Sequence, residues 1–352
     1  MSLEDLRQKI DKIDAGIIQL INERARMVIE IGSLKKRQGK DIYVPEREQS
    51  VYRKLIKKNK GPMSSPALKS IYKEIMANSL ALEKPLSISY LGPQATFTHM
   101  AAREKFGVQS KYIPARSIKD CFAEVTKGRA DYAVVPIENS TEGAVNHTLD
   151  MFVDSDLVVC AEIFLDVSHY LLSNTPTGKI RKIYSNRQAI AQCRNWLEDN
   201  LPNAKLVEAA STSEGARKSR REKDAAAIAS KLASLIYDLN IAAEKIEDVA
   251  GNVTRFLVIG KTLAKSTGRD RTSLMFSIKD RPGALYRMLK PFALNKINLT
   301  KIESRPSRKK AWDYIFFVDL DGHLMDVRVK KALKELEREC RYLKILGSYP
   351  RN

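Results

Sequence analysis

The 352-residue sequence contains only four cysteines and four histidines. Cys121, Cys160, Cys193 and Cys340 lie far apart with no CxxC pair, which excludes a zinc-ribbon or disulfide framework and fits a reducing compartment. His99, His147 and His169 lack metal-ligand spacing, so no metal is expected. No glycine-rich phosphate loop follows a strand pattern, and no cofactor is expected. Nothing approaches the ~18 uninterrupted apolar residues of a membrane span. Charges at Glu4, Asp5 and Arg7 precede any apolar run, so a secretory leader is not expected either and the expected location is cytoplasmic.

One sign of charge is in excess, at +19. The excess is terminal: residues 1–86 hold 18 Lys and Arg against 11 Asp and Glu, and residues 269–352 hold 20 against 10. The middle, 87–268, is nearly neutral at 23 against 21. No aromatic-interleaved basic tract accompanies the excess, so solvated helix faces account for it and no nucleic-acid partner is expected.

The chain is long enough for two or three cores and reads as three regions. Residues 1–84 are helical. Apolar residues at 3, 6, 10, 13, 17, 20, 27, 31 and 34 follow the seam spacing of a coiled coil. A helix of ~35 residues spans ~50 Å and cannot cover that stripe alone, so partner helices from a second chain are expected. A second helix starts at Pro45, and after GPMSSP a third runs from about Pro66 to Glu83. Residues 86–264 alternate short apolar strands (SISYLG, YAVVPI, DLVVCAEIF, HYLLSN, KIYSN, LVIG) with helical stretches (SIKDCFAEVTKG, AIAQCRNWLEDNL, AAAIASKLASLIYDL). That is α/β in two lobes with a ligand cleft. A polar linker, AKSTGRDR, leads to residues 271–350. There TSLMFSIKD, GALYRMLKPFALN, INLTKIESRP, WDYIFFVDLDG, DVRVKKALKELERECRYL and KILGSYP give the strand–helix–strand–strand–helix–strand order of a ferredoxin-like α+β fold.

Two places ask for an anion. Arg24 interrupts the apolar seam, and Lys35 follows three turns later, ~16 Å along the same face. Arg7 is ~25 Å from Arg24 on another side, too far for one small ligand unless it comes from an antiparallel second chain. A register-setting polar residue is the alternative for Arg24. In GNVTRFLVIG, Arg255 stands at the mouth of a buried strand, where a charge needs either an internal carboxylate or an acidic substrate.

LRQKIDKID, INERARMVIEIGSLK, VPERE and NSLALE resemble the helical chorismate mutase domain. The resemblance implies an intertwined homodimer. Arg7 of one chain and Arg24 of the other would hold carboxylates, with Arg47 joining the clamp. Lys35 would donate to the ether oxygen, Glu48 would bind the ring hydroxyl, and Ser79 and Glu83 would complete the pocket. Glu83 replaces a frequent Gln and must be protonated to donate; Val44 replaces a frequent acid. The implied reaction is the pericyclic shift of chorismate to prephenate, catalysed by holding the compact conformer and stabilising charge on the breaking ether.

YLGPQATFTHMAA, DYAVVPIENSTEGAV, YSNRQAIAQC and GNVTRF resemble prephenate dehydratase in order and spacing. The resemblance implies two lobes like those of periplasmic binding proteins. Prephenate would lose carbon dioxide and hydroxide in the cleft, leaving phenylpyruvate. Thr254 would donate to the departing hydroxyl, and Arg255 would hold a carboxylate or organise the cleft. Asn139, Ser140 and Thr141 would supply donors. Thr96, Ser185 and Gln192 would face the cleft, and Glu138 would be an acid, an orienting group or a salt-bridge partner of Arg255. Ala95 stands where relatives have Gly, and Ala210 where some carry a carboxylate. GAL (Gly283, Ala284, Leu285) and ESRP (Glu303, Ser304, Arg305, Pro306) resemble the phenylalanine-sensing motifs of an ACT domain. That domain is expected to inhibit the dehydratase when phenylalanine binds, and removal of 269–352 is expected to spare some activity. The alternatives are an arogenate-preferring dehydratase and a ligand-binding regulator with an inactive site.

Overall fold

The computed structural model describes residues 2–278, 282–306 and 314–351. Two compact units form, one from residues 1–86 with 105–111 and one from residues 87–104 with 112–352.

The first unit is built on three helices. Helix α1 (Leu3–Arg37) opens with a capping box, Ser2 accepting from the Asp5 amide while the Asp5 carboxylate accepts from that of Ser2. Helix α2 (Pro45–Lys58) starts on the expected proline, and α3 (Ser65–Glu83) is capped by Ser64. Gly32 decides how closely α1 and α3 pack, since a Cβ there would lie 2.9 Å from the Glu83 Cα. Only Val28 and Gly32 of α1 are buried in the single chain. Ile10, Ile13, Ile17 and Leu20 all stand exposed, so the N-terminal part of the seam is left uncovered by the described residues.

The second unit begins with β1 (Ser87–Leu91), α4 (Phe97–Phe106, its last two residues in the first unit) and β2 (Lys111–Ala115). It continues through α5 (Ile118–Thr126), β3 (Tyr132–Asn139), β4 (Gly143–Ala144), α6 (Asn146–Asp154) and β5 (Val158–Asp166). The chain then builds a second lobe from β6 (Tyr170–Leu172), β7 (Lys182–Ser185), α7 (Arg187–Gln192), α8 (Arg194–Asn200), β8 (Lys205–Glu208), α9 (Thr212–Ser219), β9 (Ala225–Ala229), α10 (Lys231–Tyr237) and β10 (Ile241–Ala243). Strand β11 (Val253–Gly260) returns to the first lobe between β3 and β5, antiparallel to both. The sheet orders are β2-β1-β3-β11-β5 and β10-β6-β9-β7-β8.

The C-terminal module runs β12 (Asp270–Ile278), α11 (Ala284–Leu294), β13 (Leu299–Pro306), β14 (Tyr314–Asp321), α12 (Val327–Glu339) and β15 (Cys340–Pro350). Its order β13-β14-β12-β15 is the expected ferredoxin-like sheet. Of the expected strands, Lys279, Asp280, Trp312 and Asp313 lie outside the described residues.

Two expectations change. The alanine run 225–229 is a strand, not the start of a helix: every residue is buried at the centre of a sheet, and tertiary context overrides alanine's helix propensity. In the polar linker the Asp270 carboxylate accepts from Ser266, Thr267 and Gly268. The C-terminal module is not separable either. Met275, Ile315, Phe317, Leu346 and Tyr349 share one core with Val135, Phe152, Val159 and Leu257 of the first lobe. Removing 269–352 would strip that core rather than spare it.

Gly347 sits at this junction, where any Cβ would run into the Val159 backbone. Gly347→Ala should therefore destabilise the second unit by about 1–3 kcal/mol, the usual range for overpacking. A lowered urea midpoint for that unit's transition, with the first unit's transition unmoved, is the expected measurement.

Candidate active sites

In the first unit, α1, α2 and α3 enclose a cavity of about 430 Å³ lined by Arg24, Lys35, Arg47, Glu48, Ser79 and Glu83 together with Val44 and Lys105. The Arg24 guanidinium donates to Ser79 Oγ, which itself donates to the Ile75 carbonyl. Lys35 Nζ donates to Glu83 Oε2 at 2.7 Å and to the Ile42 carbonyl at 2.9 Å. Six of the seven residues expected here are thus brought together. Arg7 is not among them: it is exposed on the first turns of α1, 3.8 Å from Glu4. Lys105 was not foreseen. Its Nζ lies 2.9 Å from Glu48 Oε2, and the same carboxylate accepts from Tyr52 at 3.3 Å. No helical periodicity links position 105 to position 48, so the sequence carried no signal of the pair. The pocket sets the cations Arg24, Lys35 and Arg47 beside the carboxylates Glu48 and Glu83, an arrangement that suits a small anion carrying hydrogen-bonding groups.

In the second unit the cross-strand pair Asn139–Thr254 joins β3 to β11. Asn139 Nδ2 donates to Thr254 Oγ1 at 2.7 Å and to Asn252 Oδ1 at 2.6 Å, while its Oδ1 accepts from the amides of Thr141 and Glu142 at 3.0 Å. Ser140 Oγ accepts from the Val253 amide. Asn139 is therefore locked in one orientation, and Thr254, which accepts from it, keeps its own proton for another acceptor.

Arg255 points the other way, because successive strand residues face opposite sides. Its Nε donates to Glu162 at 3.0 Å, one terminal nitrogen to Asp319 at 2.5 Å and the other to Tyr349 at 2.9 Å. Burial opposes its charge, but Tyr349, Asp319 and Glu162 outweigh that and raise its pKa further. The expected carboxylate-binding role is replaced by an internal one. Glu138, the cross-strand neighbour of Arg255, shares its face: one oxygen lies 3.9 Å from Arg255 and 3.0 Å from Lys301. Ser185 is also committed internally, fully buried and donating to the Ile228 carbonyl at 2.8 Å, so it does not face the cleft. Gln192 Oε1 accepts from His169 Nε2 at 2.8 Å, which requires the ring tautomer with its proton on Nε2.

Thr96 Oγ1 donates to the Leu91 carbonyl and accepts from the His99 amide, closing the first βα turn. Ala95 there has φ 65°, the left-handed conformation its replacement of Gly implied. Its amide donates to His99 Nδ1, and its carbonyl and that of Gln94 accept from Ser230 and Ser213 of the second lobe.

In the C-terminal module, Gly283 (φ 72°) precedes α11, with Ala284 and Leu285 in its first turn. Lys301, Glu303 and Arg305 share one face of β13, while Ser304 and Pro306 lie on the exposed face. Arg305 pairs with Asp150 of α6 at 3.3 Å. Among the described residues, no helix is long and apolar enough to cross a membrane and no acidic, His or Cys cluster could hold a metal ion.

A cation-lined helical pocket and a two-lobed domain with an oriented hydroxyl, fused to a ferredoxin-like sheet, define a multidomain enzyme for small anionic molecules. The chorismate mutase type II family matches residues 6–84, the prephenate dehydratase family residues 88–263 and the ACT domain residues 272–338. A bifunctional chorismate mutase/prephenate dehydratase of Aquifex aeolicus is 49% identical over 99% of this chain and 98% of its own. The structure of an Arthrobacter aurescens prephenate dehydratase in complex with L-Phe is 36% identical with a TM-score of 0.70, covering 76% of this chain and 90% of that one. A quorum-quenching acylase also matches at 28% identity and TM-score 0.70, covering 76% and 98%, so the fold alone does not choose the chemistry. The chain belongs to the bifunctional chorismate mutase/prephenate dehydratase family, with both catalytic domains and an ACT regulatory domain.

His99 yields a test of the cleft turn. It is buried, stacked on Tyr90 at 4.5 Å, and its pKa is pushed down to about 4 by burial, with Arg103 adding to the shift. Above its ordinary value of 6.5 both folded and unfolded chains keep it neutral. As pH falls from there toward 4 the unfolded chain takes up a proton that the fold refuses, so stability is lost, on the order of 3 kcal/mol. The urea midpoint should drop between pH 7 and 4.5, and His99→Gln, which keeps an acceptor for Ala95, should flatten that slope.

Proposed function

We propose that the helical cavity converts chorismate to prephenate and the two-lobed unit converts prephenate to phenylpyruvate, with Arg24, Lys35, Arg47, Glu48, Ser79 and Glu83 acting in the first and Thr254 with Asn139 in the second. The observation that carries the dehydratase assignment is the Asn139–Thr254 hydrogen bond. The C–C bond to the ring carboxylate breaks, its electron pair makes the ring aromatic, and the C–O bond to the hydroxyl breaks. The oxygen leaves as water once it is protonated. A threonine hydroxyl that already accepts from a fixed amide is a better donor to that oxygen. Arg255 organises the strand pair rather than gripping substrate.

For the mutase, Lys35 reaches the ether oxygen and the pocket cations hold the carboxylates, so the compact conformer is bound and the developing charge is met. The missing cation is Arg7 of a second copy. The exposed apolar seam of α1 supports a homodimer. Phenylalanine, the ligand of the Arthrobacter protein, is the effector, bound by the Gly283–Leu285 helix start and the Glu303–Pro306 strand end. The location is cytoplasmic.

One coupled assay tests the assignment. With chorismate supplied, Thr254→Ala should accumulate prephenate, its dehydration slowed at least about 100-fold and its mutase rate unchanged. The same assay with phenylalanine added should show inhibition of the wild-type dehydratase step, and prephenate against arogenate turnover decides which substrate is preferred.

A mixing experiment tests the shared mutase site. Arg7→Ala and Arg24→Ala should each be nearly inactive as mutases. Co-refolded in equal amounts they should regain about a quarter of wild-type activity, because half the dimers carry one intact site of two. No recovery from two inactive variants would mean that Arg7 and Arg24 serve the site from the same chain, and an active Arg7→Ala would place Arg7 outside the site.

A further inference from the structure

The dehydratase strands β3 and β11 are gripped from behind by one cross-strand pair of the C-terminal sheet. Lys301 of β13 pairs with Asp319 of β14. Lys301 Nζ lies 3.0 Å from Glu138 of β3, and Asp319 accepts from Arg255 of β11. Glu138 and Arg255 are themselves cross-strand partners, next in sequence to the partners Asn139 and Thr254. So one pair holds another, and the second pair shares its backbone with the reacting hydroxyl.

The ladder alone does not fix Thr254. The register between β11 and β3 shifts between Arg255 and Phe256. Irregularities of this kind re-aim side chains at active sites, and what then sets the aim is how the neighbouring side chains are anchored. Here the anchor is Arg255, and two of its three donating nitrogens are held by Asp319 and Tyr349 of the C-terminal sheet. Ser273 Oγ donates to Asp319 as well and exchanges a hydrogen bond with Tyr349 at 2.6 Å, which fixes the acceptors in turn.

We propose that Asp319 and Lys301, which lie outside the segment matching the dehydratase family, are positioning residues for dehydration, acting through Arg255 and Glu138 on the Thr254–Asn139 pair. The proposal rests on Thr254 being the donor to the leaving hydroxyl. It also gives the regulatory sheet a route to the chemistry. Glu303 lies two residues from Lys301 on the same face of β13, so a ligand that shifts this strand shifts the hold on Glu138.

The test uses the full chain with Asp319→Asn, Lys301→Met and the conservative Lys301→Arg, and Thr254→Ala run beside them. Asp319→Asn and Lys301→Met should lower the dehydratase kcat about 10- to 100-fold with KM for prephenate within about twofold. Mutase turnover should be unchanged, and Lys301→Arg should restore most of the rate. Wild-type kcat in both variants, or a raised KM with kcat intact, would overturn the proposal. A loss that follows the melting temperature and disappears on assay at lower temperature marks a merely structural role and overturns it too. If Asp319→Asn does not fold, Lys301→Met decides, because its partner Glu138 is 40% exposed and can rehydrate. If Thr254→Ala itself turns over prephenate normally, the donor assignment has failed instead.

Discussion

Arg255, Arg271, Glu162, Asp319 and Tyr349 form a buried polar network on which the second unit depends. Glu162 accepts from both arginines, and Asp319, Tyr349 and Ser273 close the circuit. Two cations face two carboxylates, so the cluster is neutral as a set and unbalanced by the loss of any one charge. Removing one partner of a buried pair costs about 3–5 kcal/mol, because the survivor is left desolvated. A hydrophobic cluster of equal volume could be as stable, but it would tolerate sliding. A directional network admits one register between the first lobe and the C-terminal sheet. The surrounding apolar core and the close approach at Gly347 fit that single register.

Much of this was legible in the sequence, and the part that was not has a physical cause. The long α1 seam, the proline start of α2 and the ferredoxin-like order are local patterns, readable from spacing and punctuation. The network is not local: Arg255 reaches partners 93, 64 and 94 residues away. Nothing in GNVTRF announces them. The stretch did pose the right alternatives, an internal carboxylate or an acidic substrate, and the structure selects the internal carboxylates. Alternation along a strand alone could have warned that Thr254 and Arg255 would not face the same side. Ser185 fell to the same difficulty, since a serine at a strand end reads equally as a cleft donor or a buried tie between strands. The alanine run failed for a different reason. Its small side chains satisfy helix propensity and a tightly packed sheet centre alike, and only the surrounding sheet decides.

The mutase unit solves the opposite problem, placing charges on a helix otherwise built to be buried. Its cations sit where α1 meets α3, and Gly32 brings the two helices near enough for Lys35 to reach Glu83. A bulkier residue at 32 would part the helices and open that contact, so one missing Cβ sets the depth of the pocket. Lys35 has two acceptors within the chain, Glu83 and the Ile42 carbonyl. Substrate must therefore share or displace a contact to engage it, which makes the cavity preorganised in position and competitive in hydrogen bonding.

Ala95 shows how much strain the cleft turn accepts. A left-handed alanine costs roughly 1–2 kcal/mol relative to its ordinary conformation, and a glycine would avoid that. Yet its methyl is fully buried among Leu172, Ala216, Ala227 and Ala229 of the second lobe, and removing a buried methyl costs about 0.8 kcal/mol. The buried methyl recovers part of that cost, so the left-handed alanine is sustained by lobe-to-lobe packing rather than by the turn itself. The hydrogen bonds from Ser213 and Ser230 to the carbonyls of Gln94 and Ala95 act in the same direction. They bring the second lobe onto the turn that begins α4, beside Thr96. The strained residue is thereby also a contact between the lobes, held by those hydrogen bonds and by burial of its methyl, which together offset the backbone strain.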